Sequence, residues 1–164
     1  MAFDAYAYFE KICRTNKITA ENHYRFCRVT GLSNMEEVLQ NFKSEQAYFC
    51  VDDTEDGTMI HQASAWFERR QYTLFLLKKY AFAQMDEQCE ALKECRSIYR
   101  QIIKKLIFDR RFLENEMTYL QIDRIPFYEI PGYFISGCTG IYFMITIDLP
   151  TDLCYDGKEW NGEF

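Results

Sequence analysis

The chain has 164 residues, of which 48% are hydrophobic and 17% are aromatic. This composition is typical of a folded domain with an apolar core and excludes a wholly disordered chain. The 25 acidic and 19 basic side chains give a net charge of −6. No overall positive field therefore exists to attract nucleic acid or anionic membranes, and bulk binding to either is disfavoured.

The cysteines and the N-terminus indicate a reducing cytoplasm. There are seven cysteines, an odd number, and none forms a CxxC pair, so a secreted disulfide framework is not expected. The N-terminus lacks the basic and apolar regions of a signal peptide. No segment approaches the roughly 18 apolar residues of a membrane span. We expect a cytoplasmic protein without a membrane partner.

The first helix is predicted over Asp4–Arg14, because apolar residues recur there at spacings of three and four: Tyr6, Phe9 and Cys13. The polar residues Thr15–Asn22 are predicted to form a loop. The next segment, His23–Val29, fits either a strand or a helix.

A second helix is predicted to begin at Ser33 and to fade near Glu45. Its start carries a capping-box pattern, in which the Ser33 hydroxyl and the Glu36 carboxylate each bond a free backbone N–H.

Three strands are predicted in the central part of the chain. Ala47–Val51 is short, apolar and rich in β-forming residues, and the acidic turn DDTEDG follows it. Residues 63–67 and 71–80 form the next two predicted strands, and the charged residues 68–70 between them suggest a turn or a kink.

The longest predicted element is an amphipathic helix over Met85–Phe112. Eight residues share an arc of about 120° that should be covered: Met85, Cys89, Leu92, Cys95, Tyr99, Ile103, Leu106 and Ile107. Five polar residues on the opposite side should face water: Glu87, Glu90, Glu94, Gln101 and Lys105. Acidic residues lie near the start of the helix and basic residues near its end, an order that complements the helix dipole.

Four basic residues of this helix lie on one flank, and we call them the basic row: Lys93, Arg100, Lys104 and Arg111. The row is either a contact strip for an acidic surface or nucleic acid, or a solvated helix flank. Arg96 falls within the apolar arc. It either extends to the edge of the arc or marks where another subunit packs.

The last part of the chain contains the clearest strand, in which apolar residues alternate over Ile141–Ile147. Before it, Glu116–Ile130 reads as a strand interrupted at Pro126, which suggests an edge position or a bulge. A glycine-rich loop over Pro131–Gly140 carries apolar residues at its tip that mark a candidate protein contact: Tyr133, Phe134 and Ile135.

These elements predict one α+β domain spanning residues 1–164. The predicted sheet is antiparallel, has about four or five strands and carries helices on one face, in the order α-α-β-β-α-β-β. The polar tail, residues 151–164, keeps two aromatic residues, so it should dock either on the body or on a neighbour.

No motif for catalysis, a cofactor or a metal stands out. Asp52, Asp56 and Gly57 fit an EF-hand loop in part, but Ala63 stands where the bidentate Glu belongs. His23 and Cys27 are four residues apart without the further ligands that zinc requires. The chain has no GxGxxG, P-loop or GxSxG motif. We therefore predict a protein without enzymatic activity, cofactor or metal.

Four segments cover most of the chain. They read as a helix leading into a strand and an acidic turn, a charged and then apolar strand, a long helix, and a closing strand with an aromatic tail: HYRFCRVTGLSNMEEVLQNFKSEQAYFCVDDTEDG, ERRQYTLFLLKK, MDEQCEALKECRSIYRQIIKKL and GCTGIYFMITIDLPTDLCYDGKEW. Together they resemble small phage or prophage proteins of the tail-terminator, or tail-completion, type. The resemblance implies a ring subunit, often in a hexamer, that stops tail-tube growth and joins tail to head. It implies no catalytic residue and no cofactor.

The expected function is therefore structural assembly through protein–protein contacts. The expected partners are copies of this chain and, if the resemblance holds, tail-tube or head–tail connector proteins in a virion. The alternative is a small binding module that uses the basic row to hold an acidic ligand or nucleic acid.

Overall fold

The structure is a computed structural model that describes residues 3–52, 56–131 and 134–161. Its helices are α1 (Ala5–Thr15), α2 (Lys17–Glu21), α3 (Gly31–Asn41) and α4 (Met85–Asn115). Its strands are β1 (Arg25–Val29), β2 (Ala47–Asp52), β3 (Asp56–Gln62), β4 (Ala65–Lys79), β5 (Tyr119–Gln121), β6 (Phe127–Ile130) and β7 (Cys138–Pro150). Short 3₁₀ turns occupy Ile135–Gly137 and Gly157–Glu159.

The described strands form one seven-stranded sheet in the order β1-β2-β4-β7-β5, with β3 also paired to β4 and β6 also paired to β7. The predicted α+β class is confirmed, but two details were wrong. The sheet has more strands than the expected four or five, and it is mixed, because β1 and β2 run parallel. The remaining pairs are antiparallel.

Helices cover both faces of the sheet, which corrects the prediction of helices on one face. On one face, α1 and α4 enclose a core that includes Phe49 and Leu76. On the other face, α3 packs over Tyr48 and Leu77. Successive side chains of a strand point to opposite faces. The whole run Ala47–Val51 is therefore buried, as expected for a strand covered on both sides.

The longest strand, β4, is continuous, so of the turn or kink predicted at residues 68–70 the turn was wrong. The break lies earlier, at Ala63 and Ser64, whose positive φ values of 49° and 67° form a two-residue hairpin turn between β3 and β4. Strand β3 was not predicted, because its side chains are almost all exposed and show no apolar alternation. Residues 53–55 of the acidic turn lie outside the described residues.

The N-terminal helices fit the predictions in part. Helix α1 is confirmed, and Asp4 caps it by accepting a hydrogen bond of 2.9 Å from the Ala7 N–H. The predicted loop at residues 15–22 instead contains α2. Helix α3 starts two residues before Ser33 and has no side-chain cap, so the capping-box prediction was wrong. The ambiguous segment His23–Val29 contains β1.

Helix α4 is confirmed and extends to Asn115, but its buried side differs from the predicted arc. Its buried residues are Ala91, Cys95, Ile98, Ile102, Leu106 and Leu113, an arc rotated by about 80° from the expected one. Met85 and Ile107 were expected in the core and are exposed. Glu94 and Gln101 were expected in water and are half-buried.

The rotation follows from polar contacts with the N-terminal segment. The Tyr24 hydroxyl donates to Glu94 at 3.0 Å, and the Asn16 amide donates to Gln101 at 2.7 Å. These contacts hold residues 16–24 along one flank of α4, so this flank is covered although its residues are polar.

The predicted strand β7 is confirmed and lies next to β4 along its length, from Phe67↔Pro150 to Lys79↔Cys138. Gly140 allows this close approach, because a Cβ there would lie 1.9 Å from the Leu76 carbonyl oxygen. The strand predicted around Pro126 is in fact two, β5 and β6, and both pair with β7. None of the helices in the described ranges is long and apolar enough to span a membrane.

Candidate interaction surface

The side of α4 that faces away from the sheet carries the basic row. At 100° per residue, its four members lie within about 40° of one another and opposite the buried Cys95 and Ile102. All four are exposed. The row runs for about 27 Å at the helical rise of 1.5 Å per residue.

The basic row is largely unpaired. Lys93 lies 3.7 Å from Glu90, and both side chains are about three-quarters exposed, so this ion pair contributes little. Within residues 3–52, 56–131 and 134–161, Arg100, Lys104 and Arg111 form no ion pair. These three positive charges are therefore available to a partner.

Two large apolar side chains flank the row near the C-terminal end of α4. Phe108 is 80% exposed and Ile107 is 52% exposed. The Lys105 ammonium lies 5.3 Å from the centre of the Phe108 ring and also pairs with Asp109. We call the basic row together with these two residues the outer α4 surface.

Arg96 does not belong to this surface. Its guanidinium forms two bonds to the Glu129 carboxylate on β6, of 2.5 and 2.8 Å. This hydrogen-bonded pair raises the pKa of Arg96 and lowers the pKa of Glu129. This pair joins α4 to its own sheet, and a contact of Arg96 with another subunit stays a prediction.

The loop before β7 is less open than its sequence suggested. Phe134 and Ile135 are half-buried and pack against the core beneath α3, so they do not form the exposed tip expected of a contact site. Tyr133 lies outside the described residues.

The segment after β7, residues 151–161, is the second exposed region with mixed apolar and charged character. Its backbone is anchored where the Thr151 N–H donates to the Trp66 carbonyl at 3.0 Å. Leu153 is 48% exposed and Tyr155 is 72% exposed. Three carboxylates accompany a single lysine, Lys158, and all are exposed: Asp152, Asp156 and Glu159. We call this region the C-terminal segment.

A groove of about 590 Å³ lies between α1 and the end of α4. Its floor includes Ile12 and Leu113. The Tyr8 hydroxyl lines it and donates to Asp109 at 2.9 Å. Burial, with Asp109 adding to the effect, raises the pKa of Tyr8. These polar groups bind each other and align α1 with α4.

The residues weighed for metal binding or nucleophilic chemistry are separated. His23 has a positive φ of 53° and precedes β1, whereas Cys27 is buried within that strand. His61 packs against Trp66 across the β3–β4 hairpin. The described part of the chain holds no cluster of three or more His, Cys, Asp or Glu side chains placed to hold a metal ion.

A buried carboxylate that the sequence analysis did not single out lies in β7. Asp148 is 4% exposed and accepts two bonds from Arg69, of 2.7 and 2.8 Å, and one of 2.8 Å from Gln121. These bonds connect β4, β7 and β5. The only sequence signal was a charged residue within an apolar strand, and the contacts indicate a structural role.

No protein-family model matches the chain, and no curated protein matches its sequence. The resemblance to tail-terminator proteins therefore stays a prediction. Among the described residues, the outer α4 surface and the C-terminal segment are two regions that combine exposed apolar side chains with an excess of one charge.

Proposed function

We propose that the protein is a non-enzymatic structural subunit that assembles with copies of itself. In this assembly, the outer α4 surface of one copy binds the C-terminal segment of the next. The observation that supports this proposal best is the 80% exposure of Phe108 beside a row in which three of the four cations form no ion pair within the described residues.

The apolar part of the contact would supply most of its free energy. Burying a side chain such as Phe108 or Ile107 contributes roughly 1.5–3 kcal/mol. Leu153 and Tyr155 on the opposite region are exposed as well. Scattered exposed apolar residues are ordinary on a monomer, but here they lie beside positive charges in one region and beside mainly negative charges in the other.

The charges would determine which surfaces meet. The outer α4 surface is positive, whereas the C-terminal segment carries three carboxylates against one lysine. Opposite potentials favour this pairing and disfavour contacts between two copies of the same surface.

A contact between two different patches is heterologous, so repetition of the contact produces a closed ring or an open filament. Such a subunit fits the tail-terminator resemblance, in which the ring contacts tail-tube or head–tail connector proteins within a virion. In this proposal no cofactor takes part.

The test is the mass of the full chain in solution, measured by sedimentation velocity at roughly 100 µM. We expect assemblies several times heavier than the 19.7 kDa monomer. Phe108→Ser should release monomers, whereas Leu32→Ser, which changes a similarly exposed residue of α3, should assemble like the wild type. A wild-type protein that is monomeric at every concentration would overturn the proposal.

The second candidate is a binding module for an acidic ligand or nucleic acid, and the unpaired cations of the basic row favour it. Its test is the binding of a short DNA duplex at increasing salt. This function requires salt-dependent binding that Lys104→Glu with Arg111→Glu removes and that Phe108→Ser preserves. If the protein self-assembles as proposed, both the charge reversal and Phe108→Ser should weaken the assembly.

A further inference from the structure

Two buried cysteines face each other across the parallel pair β1–β2. Cys27 and Cys50 are register partners, so their side chains lie on the same face of the sheet. Cys27 is 4% exposed and Cys50 is fully buried. Both belong to the core beneath α3.

The geometry of this pair suits a disulfide. Adjacent strands lie about 4.8 Å apart, within the Cα–Cα range of roughly 4.4–6.8 Å that disulfides span. The two thiols are close enough for each to shift the pKa of the other, and the Cys27 thiol donates to the Arg25 carbonyl oxygen at 3.7 Å. No other cysteine in the described ranges has a cysteine as its register partner, since Cys138 pairs with Lys79.

The two sulfur atoms have different environments. The neighbouring Cys50 thiol lowers the pKa of Cys27, and the positive charge of Arg25 lowers it further. The Cys27 thiol, together with burial, raises the pKa of Cys50. Cys27 therefore forms a thiolate more readily than Cys50, which stays protonated.

We propose that Cys27 and Cys50 form a redox-active dithiol that closes to an intramolecular disulfide when peroxide oxidises it. The Cys27 thiolate attacks one oxygen of hydrogen peroxide, the O–O bond breaks, and a sulfenic acid forms with release of hydroxide. The Cys50 sulfur then attacks the Cys27 sulfur, and the sulfenic oxygen leaves as water. Overall, two thiols lose two electrons and two protons, and the peroxide becomes two water molecules.

The position of β1 determines both how peroxide reaches Cys27 and what the disulfide does to the stability of the fold. This strand is at the edge of the sheet, where local opening requires least energy and admits a molecule as small as peroxide. The bond would close a loop that contains α3, and such a cross-link stabilises a fold mainly by restricting the unfolded chain. The inference is independent of self-assembly.

The test uses the full chain carrying Cys89→Ser and Cys154→Ser, which removes the two exposed thiols. After reduction and removal of the reductant, one equivalent of hydrogen peroxide is added. We expect a mass loss of about 2 Da that dithiothreitol reverses. Tryptic digestion should give one linked pair of peptides, residues 26–28 with 44–69. The melting temperature should rise by about 5 °C.

Cys27→Ser and Cys50→Ala in the same background should abolish the linked peptides, whereas Cys138→Ser should retain them. Alkylation of the folded protein that carries only Cys89→Ser and Cys154→Ser requires no substitution in the core. In this experiment Cys27 should react before the other buried cysteines. The proposal is overturned if peroxide leaves the mass unchanged, if Cys27 overoxidises without linking, or if the links join other cysteines.

Discussion

The inner and outer sides of α4 carry similar apolar residues in opposite environments. On the inner side, Ile98 and Ile102 are buried against the sheet. On the outer side, Ile107 and Phe108 extend away from it and are more than half exposed. The inner residues make their apolar contacts within the chain, so substitutions there should change the free energy of unfolding. The outer residues are not needed for the fold, and we infer that they serve a partner.

Truncation on the two sides should separate folding from assembly. Ile102→Ala removes a fully buried side chain and leaves a cavity, so it should lower the free energy of unfolding by about 2–5 kcal/mol. Ile107→Ala should change it by less than about 0.5 kcal/mol. Urea denaturation of dilute monomers measures both values. Equal losses would show that the outer residue is part of the core after all.

Salt should also act differently on the two sides. The outer surface relies on exposed cations, so raising sodium chloride from 50 to 500 mM should weaken self-association by roughly tenfold. The apolar inner contacts are not screened, and the unfolding free energy should change much less. Sedimentation equilibrium and urea denaturation at both salt concentrations would reveal the difference. Association that strengthens with salt would point to a purely apolar contact.

Alkaline pH should lower the free energy of unfolding through the inner side of α4, where the Tyr24 hydroxyl donates to Glu94 and contacts Cys95. Burial, followed by the charges of its neighbours, raises the pKa of Tyr24 above its ordinary value of 10.0. The stabilisation by the neutral hydroxyl is therefore complete below pH 10 and lost as the pH rises above it.

Tyr24→Phe should cost about 1 kcal/mol at pH 7 and should flatten the decline of stability above pH 10. Tyr155→Phe, at an exposed position, is the matched control and should change neither. The readout is the urea midpoint across the pH range, and an unchanged alkaline slope in Tyr24→Phe would contradict the assignment.

The smallest effect is expected for the Arg96–Glu129 pair at the border between the two sides. Both side chains are more than a third exposed, so Arg96→Gln should cost less than about 1 kcal/mol. Because the pKa of Glu129 is lowered below 4.5, this contribution is present at neutral pH and lost as the pH falls through the lowered value. Thermal melts at pH 7 and pH 3 measure it. A larger loss at pH 3 than at pH 7 would contradict it.

Elements with strong local signals were predictable from the sequence. The alternation in β7, the long periodicity of α4 and the helical spacing in α1 are properties of neighbouring residues, and the structure retains them. The basic row was also predicted, because helical spacing alone places its members on one flank.

Features that depend on distant parts of the chain were not predictable. The rotation of α4 depends on the packing of residues 16–24 against Glu94 and Gln101, which no helical period shows. Exposure of Ile107, which the predicted arc included, follows from that rotation. The parallel pairing of β1 with β2 brings Cys27 next to Cys50, although 22 intervening residues separate them in the sequence.

The most direct test of self-assembly exchanges charges between the two surfaces. One protein carries Arg100→Glu, Lys104→Glu and Arg111→Glu, which changes the charge of the basic row from +4 to −2. The other carries Asp152→Lys and Asp156→Lys, which changes the charge of the C-terminal segment from −2 to +2. Each alone presents two surfaces of like charge, so each should sediment as a 19.7 kDa monomer. Mixed in equal amounts, the two should assemble, because every contact between unlike copies again joins opposite charges. A mixture that stays monomeric, or single variants that assemble like the wild type, would contradict the proposed contact.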